Sequence, residues 1–497
     1  MLLVRSSSLA CGFTAIIGLA LALLGACLDT PWAFVIGTAS MATAPLWSRI
    51  PSIESSRSGY FLTVYDVFCL LTGAYLVGIP TVFAVAPWFK LPIVYDVMGT
   101  FLLPGALFSG QIIGAIFLFT VALCSAWLKI SSPWPWRTQN LSSCASVLRE
   151  LETNWLFSRK LTTYLCLAGW GTLIFGIVIF GPHRYLQGYR AELSFTSVGW
   201  TIIAFADVIQ MFALALFTFQ KSSNLSNNKH PRWIYTCFVV YALIRMLNGA
   251  RFFLVGALLS ALAVLALRPP FGIAINAKNI FAITALVIIG LSVLLLRGSF
   301  SADASPWLVL ASAALTEPVF STISYYNLAA LELNEKLIHH GTFGVLIDFF
   351  SSLTPRFILP GKVNGIAYSD SLTAATLSVP DIGPSYGTPF LVGELIFTFG
   401  IIGGLAFLLF CTAIIYATRA ILWGQFTNSI TLRILAFWLW IVVFGWTLIN
   451  AMRQPIYIWL KVIAQYGIIF PFVVLILIPV LLRISSKRLA EVERYSS

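Results

Sequence analysis

Charge is scarce in this chain. Among 497 residues there are 18 Asp and Glu, 30 Lys and Arg and 4 His, so only 10% are charged. A soluble fold of this length needs far more polar surface than that. Period-2 alternation is also missing, which excludes a membrane barrel. There is no Asp-x-Asp, no His-Glu-x-x-His, no P-loop, no Gly-rich dinucleotide turn and no Gly-x-Ser-x-Gly elbow. The sequence thus carries no metal or cofactor motif. The eight cysteines form no Cys-x-x-Cys and mostly lie inside apolar runs, so they read as small buried hydrophobes. No basic stretch is long enough to suit nucleic acid.

Long apolar runs are what the chain has instead. It is 59% hydrophobic with a mean hydropathy of +0.91. Runs of about twenty residues recur from end to end, each able to cross about 30 Å of hydrocarbon as a helix. A bilayer offers no water to bare backbone groups, so these runs become helices. The expected fold is an all-α polytopic membrane protein with about twelve spans: 9–27, 31–46, 60–86, 98–127, 161–181, 196–219, 233–247, 250–267, 279–297, 389–417, 432–450 and 456–482. Arg5 followed by "LACGFTAIIGLALALLGAC" resembles a signal peptide, with a faint lipoprotein box at Cys27; given the later spans, an uncleaved first helix is expected.

Orientation follows from basic residues. With both termini in the cytoplasm, the inside segments hold Lys129, Arg159, Lys160, Lys221, Lys229, Arg419, Arg433 and the basic C-terminal tail. Reading 233–267 as one bent helix is the alternative, and it flips every later loop. Three parts result: an N-terminal bundle of about nine helices (1–297), one long periplasmic loop (298–388), and C-terminal spans with a cytoplasmic tail (389–497). Within the loop, "FGVLIDFFSSL" has the apolar spacing of an amphipathic helix that lies on the membrane surface or caps the bundle.

Positive charge is least expected on the outer side, yet arginines gather there. Arg184 and Arg190 lie in "GPHRYLQGYRAEL", Arg245 and Arg251 flank the hairpin of "RMLNGARFF", Arg356 sits in the long loop, and Arg453 in "NAMRQP". Any one of them is accounted for by snorkelling or headgroup contact. As a set from separate short loops, they suit a lipid-linked phosphate or diphosphate, since guanidinium binds phosphate oxygens in a bidentate fork. Carboxylates are few. Asp66 and Asp207 fall inside spans, where each is either functional or a structural hydrogen-bond or arginine partner. Glu394, at the outer start of the tenth span, is a general base or an arginine's partner. Glu317 and the pair His339-His340 are further base candidates, because histidine titrates near neutral pH. Trp307, Tyr325, Tyr326 and Tyr386 suit sugar stacking or an interfacial aromatic belt.

The order of "RMLNGARFFLVGALLSAL", a long outer loop ending in "LTPRFILPGKVNG", and the helix "YGTPFLVGELIFTFGIIGGL" resembles the bacterial O-antigen polymerase (Wzy-type) family over roughly residues 240 to 410. O-antigen ligases share much of this pattern. The resemblance implies a GT-C-like glycosyltransferase of the bacterial inner membrane, without metal or cofactor. It would join oligosaccharide repeat units carried on undecaprenyl diphosphate at the periplasmic face, among membrane lipids and beside a chain-length regulator. Arg251 matches the diphosphate-binding arginine best, with Arg245 beside it; Arg356 and Glu394 carry over less directly. Two rival functions are a ligase that transfers polymer to lipid A-core and a lipid-linked-sugar flippase. A flippase would show internal repeats and a charged midplane path.

Overall fold

The computed structural model describes residues 2–51, 58–85, 88, 102–131, 159–186, 198–221, 232–247, 251–267, 272–281, 284, 306–354, 390–423, 426, 429–452, 454–469 and 471. The helices among them are α1 (Leu2–Cys27), α2 (Pro31–Thr43), α3 (Val64–Leu76), α4 (Gly78–Val85), α5 (Ala106–Ser131), α6 (Arg159–Phe180), α7 (Pro182–Leu186), α8 (Val198–Lys221), α9 (Arg232–Leu247), α10 (Arg251–Leu267), α11 (Pro306–Leu333), α12 (Gly341–Leu353), α13 (Leu391–Leu422), α14 (Ile430–Val442), α15 (Leu448–Ala451) and α16 (Ile456–Val462). A π-helical turn, Val443–Thr447, joins α14 to α15, and another, Ile463–Ile469, follows α16. Four two-residue strands pair as two small ladders, Ile50–Pro51 with Ser58–Gly59 and Phe61–Leu62 with Ile273–Ala274.

Among the described residues six helices are long and apolar enough to cross a membrane, or seven if α3 and α4, bent by 48°, form one span. The chain is therefore an all-α membrane protein. Most of the ninth expected span, 279–297, lies outside the described residues.

Two buried clusters organise the bundle. The first joins α2 to α5 with α11, the N-terminal half of α13 and α16. The second joins α6 to α10 with α14 and the C-terminal end of α13. Helices α5 and α13 run parallel through the molecule. Near their C-termini, Arg419 donates to the Leu128 carbonyl at 2.8 Å. Near their N-termini both are bonded to α11: the Leu103 amide donates to Asn327 Oδ1, and the Phe390 amide to the Ser321 carbonyl. The bundle thus has a capped end under α11 and an opposite, basic end.

Helix α11 falls in the segment 298–388, where the sequence suggests amphipathic helices that lie on the membrane surface or cap the bundle. Its 28 residues span about 42 Å, and every residue from Ser321 to Leu331 is buried. The neighbouring Tyr325 and Tyr326 bond the Gly110 and Leu76 carbonyls, respectively. They are core residues rather than sugar platforms. Helix α12 does have two faces: Phe343, Leu346, Ile347 and Phe350 are exposed, while Val345, Asp348 and Ser352 are buried.

Small residues let α1 and α2 pack backbone to backbone, as membrane helices do where van der Waals contact drives association. A Cβ on Gly25 would meet the Phe34 nitrogen at 2.3 Å, and one on Gly37 the Ala22 nitrogen at 2.4 Å. At the basic end, Thr63 and Asp66 form a capping box that starts α3. The same Asp66 carboxylate pairs with Lys129 at 3.1 Å, both side chains fully buried, and Lys129 also donates to the Pro45 carbonyl.

Candidate functional site

Three of the expected catalytic residues, His339, His340 and Glu394, come together at the N-terminal end of α13. This helix carries a break at Gly400, where φ is +71° and ψ is 178°. That left-handed backbone suits glycine and interrupts the hydrogen-bond ladder. The Ile401 amide next to the break finds Glu332 Oε1 at 3.3 Å instead. The other oxygen of Glu332 lies 3.3 Å from His339 Nε2, and His339 Nδ1 lies 3.2 Å from the Ile396 carbonyl. Both ring nitrogens of His339 therefore face acceptor oxygens.

His340 sits one residue on, and its amide donates to the Phe397 carbonyl at 3.0 Å. Its ring lies flat against Phe397, with centroids 5.8 Å apart and planes at 11°, and over Gly344 on the other side. Nε2 points at Asp348 Oδ2, 3.5 Å away, with both side chains buried. Burial pushes the His340 imidazole below its usual range, and the Asp348 carboxylate opposes that shift. Glu394 is fully buried and accepts the Ile456 amide at 2.8 Å, at the first turn of α16, where the helix dipole favours a carboxylate. Tyr457, the next residue, is within electrostatic reach of both Asp348 and Glu394. The result is a buried His340–Asp348 pair with Glu394 and Tyr457 in the same region, and with His339 and Glu332 at the break in α13.

Arg245 lies in the second cluster of helices. Its Nε and Nη2 hold the two oxygens of Asp207 at 2.8 and 2.7 Å, and Tyr241 donates to Asp207 Oδ1 at 3.0 Å. Its Nη1 donates to Tyr185 Oη at 3.3 Å, and Tyr185 donates to the Ile244 carbonyl. That tie holds α7, which carries Arg184, against the C-terminal end of α9. So two of the separate arginine-bearing segments do meet, with Arg245 as the tie between them. Arg251 begins α10. The side chains of Arg184, Arg251, Glu317 and Trp307 lie outside the described part, as do residues Arg190, Arg356, Tyr386 and Arg453 altogether. Asp66 and Asp207, left open by the sequence, are each one half of a buried ion pair.

Sequence reasoning missed Asp348, Glu332 and Tyr457. The signal for Asp348 was its place on the polar stripe of "FGVLIDFFSSL", two turns from His340 on one helix face. Glu332 and Tyr457 left no pattern, since their roles depend on the break at Gly400 and on the seating of α16. No family model, no curated protein and no solved structure matches this chain.

Proposed function

We propose that this chain polymerises oligosaccharide repeat units carried on undecaprenyl diphosphate, working at the periplasmic face of the bacterial inner membrane. In this reading the chain crosses the membrane about twelve times in a GT-C-like arrangement, with both termini in the cytoplasm. The observation that carries the reading is the convergence of His339, His340 and Glu394 with Asp348 and Tyr457 at the end opposite Lys129 and Arg419. This reading puts the segments richest in basic residues in the cytoplasm; Lys129 and Arg419 then fall at the inner end, and the acid–base cluster at the outer face.

When the glycosyl bond to the carrier breaks, negative charge develops on the diphosphate, and preorganised guanidinium groups stabilise it. Arg251 and Arg184 supply them, with Arg190, Arg356 and Arg453. Arg245, already committed to Asp207 and Tyr185, positions the segment that carries Arg184. The acceptor hydroxyl loses its proton to His340, whose neutral imidazole suits a general base. Asp348 favours the charged ring that forms, and His339 holds the break in α13. His340 and Glu394 are both buried, so the acceptor enters when α12 moves away from α16.

The test is chain extension by the purified full-length protein, given undecaprenyl-diphosphate-linked repeat units. Products longer than one unit are expected. Removing the base by His340→Ala should cut the rate by about 100-fold or more, and Arg251→Ala should abolish extension. Unchanged extension in both variants, at equal folded yield, contradicts the reading.

A further inference from the structure

Between α5, α13, α14 and α16 runs an apolar groove of about 350 Å³. Tyr65, Leu128 and Thr418 wall it at the basic end, and Leu391, Leu395 and Ile456 at the capped end. Three features say what occupies it. The first is charge at the basic end. Arg419 is 3% exposed and donates to the Tyr65 hydroxyl, the Leu128 carbonyl and the Ser131 hydroxyl, all neutral acceptors. Among the described residues no carboxylate lies within 4.0 Å of it, and nearby Asp66 is already matched by Lys129. The guanidinium is satisfied in hydrogen bonds but not in charge, and two of its partners are walls of the groove. The second is the opposite sign at the other end, where Glu394 bonds the amide of Ile456, itself a groove residue, and Asp348 lies nearby. An anionic head is drawn to the Arg419 end and repelled from the Glu394 end.

The third is a hydroxyl in the wall. Thr412 and Thr418, also in the groove, spend their hydroxyls on the carbonyls four residues back in α13. Thr447 lies in the π turn, which breaks the four-residue register that such back-bonding needs. Its Oγ1 is buried and bonds nothing among the described residues. A hydroxyl in an apolar wall is costly unless a ligand supplies its partner.

We infer that the groove binds one anionic glycerophospholipid. Its phosphate sits at the Arg419 end, an acyl chain runs towards Leu391 and Ile456, and an ester carbonyl accepts from Thr447. A polyprenyl phosphate offers the anion and the chain but no oxygen beyond the phosphate, so it leaves Thr447 unsatisfied. This head-down lipid is distinct from the proposed substrate at the capped end, and the inference holds whether or not the polymerase reading stands.

The experiment is native mass spectrometry of the purified full-length protein, titrated in detergent with phosphatidylglycerol, phosphatidylethanolamine and undecaprenyl phosphate. The expected result is a retained phosphatidylglycerol adduct at least about tenfold tighter than phosphatidylethanolamine. Arg419→Gln should reduce it to the phosphatidylethanolamine level, and Thr447→Val should weaken it severalfold. Cys411→Trp, which adds bulk to the groove wall, should block both phospholipids and serves if Arg419→Gln does not fold. Equal binding of the two phospholipids, preferential binding of undecaprenyl phosphate, or phosphatidylglycerol binding undisturbed by Thr447→Val and Cys411→Trp would overturn the inference.

Discussion

Removing one half of the Asp207–Arg245 pair should cost far more than removing both. The two side chains are 3% exposed and joined by two bonds of 2.7 and 2.8 Å, and Tyr241 adds a third to the same carboxylate. Asp207→Leu strips all three and leaves a buried guanidinium without its counter-charge. The expected loss is about 3–5 kcal/mol. Arg245→Met leaves the carboxylate stranded and should cost a similar amount. The double variant buries two apolar side chains of comparable volume and should return to within about 1–2 kcal/mol of the native chain. Denaturation of the full-length protein in detergent measures this, read out as maleimide access to the buried thiols of Cys69 and Cys166. Costs below about 1 kcal/mol for either single change, or a double variant costing the sum of the two, refute the reasoning. The same variants separate positioning from binding. If Arg245 acts by holding Tyr185 and α7, the double variant keeps part of its chain extension, whereas Arg251→Ala loses it.

Other substitutions probe the acid–base cluster and the basic end. A Cβ at Gly344 would lie 2.6 Å from His340 Cε1, so Gly344→Ala should push the ring away from Asp348. It should cost about 1–3 kcal/mol and slow extension by about tenfold or more, measured at matched folded protein. His340 has its protonation disfavoured by burial, so its contribution to stability is complete above pH 6.5, the ordinary value. As pH falls below that, the unfolded chain binds a proton that the folded chain resists, and stability declines. The denaturation midpoint should therefore drop on acidification in the native chain, and the drop should be smaller in His340→Gln. Lys129→Met leaves Asp66 charged in an apolar core and should cost about 3–5 kcal/mol, whereas Lys129→Met with Asp66→Thr should recover much of it. Thermal midpoints of the native chain and these two variants give the comparison.

The apolar runs were legible because a bilayer span needs about twenty such residues in a row, and α5, α6, α8 and α13 lie where those runs lie. Helix α11 was not legible as a core helix. Its "LTEPVFSTISYYNL" dilutes hydropathy with Thr, Ser, Tyr and Asn, which usually signal solvent. Here they serve close packing and cross-helix bonds, as Tyr325, Tyr326 and Asn327 do. Lys129, Arg419 and Arg433 were counted as ordinary inside charges, yet all three are buried. Hydropathy cannot distinguish a charge in water from one held by Asp66 or by Tyr65 and Leu128. At the candidate site, Glu394 and the two histidines stood out as rare polar residues near apolar runs. Asp348 reaches His340 only because Gly344 leaves room for the ring, a detail that no residue spacing announces.

The most direct measurement of the central claim is made in cells. A deletion strain is compared with its parent by running the envelope glycan on a gel beside the extracted lipid-linked intermediates. If the chain polymerises repeat units at the outer face, the surface lipid keeps a single unit and loses its ladder, and only the native gene, not the His340→Ala form, restores it. Long chains piling up on undecaprenyl diphosphate with none transferred to lipid A-core contradict polymerisation and indicate a ligase. An unchanged ladder contradicts both.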